Sequence, residues 1–199
     1  MQVVRLEQVR NSYRVSMEDG PLGTLSRREL IDSGLNPDSL TADSEHLITD
    51  SVADVIRETV YLKAYESCVR MLAVSEYAPG EIRYKLRFRG YADTIIERVV
   101  EELYANNYIN DERYAESFVR SYARRKGRRN LLIELEQKGI SLRDPEALIE
   151  RVYAEEGITE DAVRDALLEK KFRGADPEDP TVKRRMREFL YRKGFVNGT

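Results

Sequence analysis

Residues 110–141 read NDERYAESFVRSYARRKGRRNLLIELEQKGIS, and the fold follows from that stretch. Asn110 or Asp111 is placed to cap a helix, and Asp111 and Glu112 sit in its first turn, where the helix dipole favours negative charge. At ~100° per residue, Tyr114, Ala115, Phe118, Val119 and Tyr122 fall on one arc, and Arg113, Glu116, Arg120 and Arg124 on the other. Gly127 breaks the run. A second helix then carries Leu131, Leu132 and Leu135 and stops at Lys138-Gly139, a cation in the last turn followed by a glycine. Between the two helices stand Arg124, Arg125, Lys126, Arg128 and Arg129, the densest positive cluster in the chain.

The stretch is one copy of a repeat. A shift of 49 positions sets Tyr65 on Tyr114, Val69 on Phe118, Leu86 on Leu135, Gly90 on Gly139 and Tyr91 on Ile140. Downstream, Val99, Val100, Leu103 and Tyr104 meet Leu148, Ile149, Val152 and Tyr153 at the same offset. A further shift carries Ile109, Tyr114, Phe118 and Val119 onto Ile158, Val163, Leu167 and Leu168, after which the insertion at Asp176-Pro-Glu-Asp-Pro180 delays the last glycine to Gly194. Any two amphipathic helices look alike, but a constant offset with matched glycine stops is the mark of stacked supersecondary units. The expected fold is therefore mainly α, with tandem three-helix repeats in an elongated curved array. Repeat one with its linker helix covers 43–108, repeat two 109–157 and repeat three 158–199, the last without a third helix.

The N-terminus has a different period. Val3–Glu7 and Tyr13–Met17 alternate, Glu18-Asp19-Gly20-Pro21 is turn chemistry, and Leu22–Leu25 is placed to pair back. Ser26 with Glu29 makes a capping box for a short helix that ends at Gly34, and Asn36-Pro37-Asp38 reads as a loop. Residues 1–42 are thus expected to form a small β-hairpin module with one helix. From about Asp43 the pattern turns helical, as one long helix or two joined near Tyr61. Ala78-Pro79-Gly80 opens the next helix, and a third runs from about Ala92 to Asn106.

Charged residues make up 35% of the 199, yet the net charge is only −3, so the chain is not a polycation. Positive charge concentrates at 120–129 and 183–193, while 43–58 and 97–112 lean negative. The single cysteine, Cys68, excludes an internal disulfide and reads as a small core residue. No apolar run approaches the ~20 residues a bilayer requires, and no signal-peptide core is present, so a cytoplasmic location is expected.

Catalytic chemistry finds no footing. His46 is the only histidine, which leaves a His-based metal site or a Cys-His pair without a second member. The glycines are helix stops rather than a phosphate loop, and the pairs Asp111-Glu112 and Glu155-Glu156 sit at helix ends, where capping explains them. No enzyme activity and no cofactor are expected. Tyrosines among arginines invite a base-stacking reading, but Tyr65, Tyr114, Tyr122 and Tyr153 fall on apolar stripes and read as core. Tyr84, Tyr91 and Tyr191 are less clearly buried.

The segment YINDERYAESFVRSYARRKGRRNLLIELEQKGIS closely resembles the RecX family of regulators of the RecA recombinase. EIRYKLRFRGY and REFLYRKGF look like that family's flanking repeats, and the N-terminal hairpin resembles the β-containing extension of some members. The resemblance implies a bent helical array that binds RecA and lodges in the groove of its nucleoprotein filament, inhibiting strand exchange, ATP hydrolysis and filament growth. Charge clustering nominates Arg120, Arg124, Arg125, Lys126, Arg128 and Arg129 in repeat two, and Lys183, Arg184, Arg185 and Arg187 in repeat three, as contacts for RecA or DNA. A monomer is expected, with no membrane contact. Two rival readings stand beside this one, a stand-alone nucleic-acid-binding protein and a helical scaffold for another partner.

Overall fold

The alternating N-terminal residues form β1 (Gln2–Val9), β2 (Ser12–Met17) and β3 (Gly20–Ser26) in the computed structural model, which describes residues 1–40 and 45–195. Two-residue loops join them: Val9 faces Ser12 across one turn, where Arg10 takes a φ of 55°, and Met17 faces Gly20 across the other. Ser26 closes the capping box read from the sequence and starts α1 (Arg27–Asp32). Asn36-Pro37-Asp38 leads into a single helical turn, Pro37–Ser39, capped by the Asn36 side chain.

One strand escaped the sequence reading. β4 (Glu45–Ile48) pairs antiparallel with β1, giving a four-stranded sheet of order β3-β2-β1-β4. The expected hairpin is thus a four-stranded sheet, and the chain does not turn helical directly after Asp43. Glu45-His46-Leu47-Ile48 places two polar residues before two apolar ones, so it displays no alternation. The expected boundary between residues 42 and 43 lies outside the described residues.

Helices follow without interruption. α2 (Asp50–Leu72) is one continuous helix capped by Thr49, not two joined near Tyr61. α3 (Pro79–Phe88) starts on its proline, and α4 (Asp93–Ala105) presents Ile96, Val99, Val100 and Leu103, all sealed from solvent. These helices share a single core with the sheet, in which Val4, Val15, Leu25 and Leu30 join Ile56, Val60, Ile82 and Leu86. Gly23 of β3 is required by that closeness: a Cβ there would lie 2.7 Å from Val60 Cγ1. Met1–Ile109 therefore forms one compact unit.

Asn110–Thr199 forms the second. α5 (Asp111–Tyr122), α6 (Arg128–Gln137) and α7 (Pro145–Glu155) pack around Ala115, Val119, Leu131, Leu135, Ile149 and Val152, and α8 (Glu160–Phe172) and α9 (Pro180–Lys193) follow. Asn110, Asp144, Thr159 and Asp179 cap α5, α7, α8 and α9 through their side chains. The three matched stops share one geometry. Gly90, Gly139 and Gly194 have φ of 82°, 74° and 91°, a region that favours glycine. In each case the next residue donates its N–H to the carbonyl five positions back: Tyr91 to Leu86 at 3.2 Å, Ile140 to Leu135 at 3.1 Å, Phe195 to Leu190 at 3.0 Å. Those leucines are 1%, 2% and 4% exposed, so each stop folds an apolar lid over a core residue. The segment Val196–Thr199, the end of the expected third repeat, lies outside the described residues.

Candidate protein and nucleic-acid interface

The basic cluster of the second unit is built around two glycines. Gly127 ends the loop after α5, and its N–H donates to the Lys193 carbonyl at 2.8 Å. Asn130 Nδ2 on α6 donates to the Arg192 carbonyl, also at 2.8 Å. A Cβ on Gly127 would lie 2.5 Å from the Gly194 carbonyl oxygen, and one on Gly194 would lie 2.6 Å from the Asn130 backbone nitrogen. Only paired glycines allow this backbone approach. As a result the end of α9 docks beside the start of α6, and cations more than sixty residues apart along the chain come to one junction.

Opposing carboxylates divide these cations into two groups. Arg120 bridges Glu155 and Glu156, the latter at 2.7 Å, and those carboxylates hold its guanidinium above the ordinary arginine range. Lys126 pairs with Glu134 and lies 4.3 Å from the centroid of the Tyr122 ring. Arg128 bonds Glu150, approaches Glu160 to 3.5 Å and stacks 4.9 Å from the Tyr153 ring. The Glu150 carboxylate raises its pKa in spite of partial burial. Burial beneath it pushes the Tyr153 hydroxyl up to about 12. These three cations tie α5, α6, α7 and α8 together.

The others face outward. Arg124 donates to the Glu156 carbonyl at 3.1 Å and remains exposed. Arg125 is exposed and has no carboxylate partner among the described residues. Arg129 extends over the Tyr191 ring at 5.2 Å. Beside them the docking adds Arg192, exposed, and Lys193, half-buried over Phe189. The positive segment 183–193 contains these two, but they were not among the residues nominated as contacts. Their signal in the sequence was only their place directly before the Gly194 stop.

On α9 the four nominated cations part company. Lys183 and Arg187, one turn apart, line a groove with Met186 and Leu190, and Lys183 is bonded to Glu178 at 2.6 Å. Arg184 points toward Glu188 at 3.8 Å, and Arg185 is exposed on another side. The tyrosines divide as well. Tyr153 is buried and Tyr65 and Tyr114 half-buried, as read, whereas Tyr122 is 36% exposed at the edge of the core, tilted on Phe118. Tyr91 is buried and Tyr191 is 63% exposed. In the first unit Tyr84 and Phe88 stack on the outside of α3 at 6.4 Å, 69% and 83% exposed.

Among the described residues no group of three His, Cys, Asp or Glu side chains could hold a metal ion, and no helix is long and apolar enough to cross a membrane. Cys68 is buried, and burial pushes its thiol up to about 11.

Known proteins share this plan. The RecX first three-helix domain matches residues 64–103, the second 110–144 and the third 165–197. Regulatory protein RecX of Mycobacterium sp. (strain JLS) is 36% identical over 142 residues, covering 67% of this chain and 75% of that protein. Its namesake in Mycolicibacterium smegmatis (strain ATCC 700084 / mc(2)155) is 34% identical over 142 residues, covering 67% and 73%. A crystal structure of regulatory protein RecX shares the fold, with a TM-score of 0.57 over 98% of this chain and 95% of its own, at 19% identity. Three tandem three-helix domains behind a small sheet, and this degree of identity, place the chain in the RecX family of regulatory proteins.

Proposed function

We propose that this protein is a cytoplasmic, non-enzymatic regulator that binds the RecA recombinase and its nucleoprotein filament and restrains filament extension and ATP hydrolysis. Membership of a family of regulatory proteins supports the regulatory role. The observation that carries the finer reading is the cationic edge at the Gly127–Gly194 junction, where Arg124, Arg125, Arg129 and Arg192 face solvent. Exposed arginines in that density suit acidic protein surface or the phosphates of bound DNA. The protein acts as a monomer in this reading, through its surface and without a cofactor. The test is RecA's single-stranded-DNA-dependent ATPase together with filament length. The wild-type chain should suppress both, and Arg124→Glu/Arg125→Glu/Arg129→Glu should lose suppression while keeping its helicity. Full suppression by that variant would refute the assignment of this edge.

A second reading has its own observation. The exposed Tyr84–Phe88 stack lies on a helix that also carries Lys85 and Arg87, the form of an aromatic platform for unpaired bases. Tight, steeply salt-dependent binding to single-stranded DNA without RecA, lost in Tyr84→Ala/Phe88→Ala, would favour a stand-alone nucleic-acid-binding protein.

A further inference from the structure

Within the second unit the α8–α9 pair repeats the α5–α6 pair, and the alignment says what lies open. Val119 corresponds to Leu168 by the constant offset, and aligning the stops at Gly139 and Gly194 sets Arg128 on Lys183, Leu131 on Met186, Leu132 on Arg187 and Leu135 on Leu190. Around α5 and α6, Val119, Leu131 and Leu135 are sealed to 0%, 0% and 2% exposure. What seals them is α7, which lays Leu148, Ile149, Val152 and Tyr153 across both helices. Around α8 and α9 the corresponding Leu168 and Met186 are half-buried. With Pro177 and Leu190 they line an open groove of about 440 Å³. Among the described residues no helix covers it.

We propose that this groove receives an amphipathic, acid-flanked helix from another protein, seated where α7 sits on the preceding pair. The apolar floor prescribes a stripe at helical spacing, since Leu168, Met186 and Leu190 correspond to residues that a Leu-Ile-x-x-Val-Tyr stripe already covers. The rim prescribes the charge. Arg164, Lys183 and Arg187 line it, where the preceding pair has Ala115, Arg128 and Leu132. Arg164 and Lys183 have carboxylate partners nearby, and Arg187 has none among the described residues. Arg128, the counterpart of Lys183, already bonds Glu150 of α7, so a carboxylate on the incoming helix has a precedent within the same unit. A second copy of this chain fits poorly. Its own acid-flanked stripes, on α4 and α7, are buried in its two cores, with Ile96, Val99, Val152 and Leu103 all at 0% exposure.

The probe is a labelled peptide of residues 144–157, DPEALIERVYAEEG, the segment that performs this task on the preceding pair. It is titrated against the full chain by fluorescence anisotropy. Saturable binding is expected, weakened at least about tenfold by Met186→Glu and by Leu168→Glu, a tenfold change corresponding to about 1.4 kcal/mol. Arg187→Glu changes an exposed side chain and keeps the test valid should either apolar variant lose its circular dichroism. It should weaken the acidic peptide, and it should leave a peptide with glutamates replaced by glutamine unaffected. No saturable binding, or binding indifferent to all three variants, overturns the proposal. Self-association of the chain in sedimentation, abolished by Met186→Glu, would make a second copy the occupant and overturn it equally. RecA is absent from every arm, so failure here leaves the proposed regulation of RecA to its own ATPase test.

Discussion

The α5–α7 triple and the α8–α9 pair start from the same plan and diverge in what stands opposite their cations. In the triple, α7 and its C-cap supply Glu150, Glu155 and Glu156, and these bind Arg128 and Arg120. Charges that look like a binding surface in the sequence are there internal fastenings. In the pair nothing described lies across from Arg187, and Arg185 faces solvent. A run of arginines thus carries two kinds of residue, and only the helix opposite distinguishes them. Removing one partner of an exposed ion pair costs little, whereas removing a half-buried guanidinium that joins three helices leaves its carboxylates unpaired and costs more.

The largest expected effect tests whether the two regions are joined by their glycines. Gly194→Ala places a Cβ 2.6 Å from the Asn130 backbone at a φ of 91°, combining a clash with strain. It should destabilise the second unit by about 2–4 kcal/mol in urea unfolding followed by circular dichroism. Gly157→Ala, at a φ of 60° but with nothing within 4 Å, should cost only about 1 kcal/mol. Equal losses would mean that the docking contributes nothing. Next, Leu135→Ala in the sealed triple should cost about 3 kcal/mol, and Met186→Ala in the open groove about 1 kcal/mol or less, by the same assay. A reversed order would break the comparison. Arg128→Ala should lower stability by about 1–2 kcal/mol while Arg125→Ala stays within about 0.5 kcal/mol, and only the second should act chiefly on RecA's ATPase. The smallest effect is chemical. With its thiol pushed up to about 11, Cys68 should react with iodoacetamide at pH 8 on the order of a hundredfold more slowly in the folded chain than in urea.

Much of this was legible because helix punctuation is local. Ser26 caps where it was read to cap, Asn110 is the one of the two candidates, Asn110 and Asp111, that caps α5, and Gly90, Gly139 and Gly194 stop where they were read to stop, since each needs only a few neighbouring residues. Whatever depended on distant neighbours was hidden. β4 is visible only once β1 lies beside it, because Glu45–Ile48 does not alternate polar with apolar residues. Tyr122 falls on the apolar arc of α5, but its position near the helix end leaves it at the rim. Arg128 stands in the densest cationic run, and its partners Glu150 and Glu160 lie on two later helices. Local charge density nominated the cluster, and only tertiary pairing separates Arg120, Lys126 and Arg128, which meet carboxylates, from Arg124, Arg125 and Arg129, which meet none among the described residues.

The shared interior of sheet and helices bears on how the first unit can be dissected. Because Val60 and Ile56 rest on Val4, Val15 and Leu25, trimming away the strands would lay bare an oily flank of α2 rather than subtract an appendage. A shortened protein that clumps or goes silent would report that exposed flank and say nothing of any task the strands perform. Their contribution is better probed by polar substitutions on the outer face of the sheet, at Arg5, Glu7 and Arg14, where the interior is left whole.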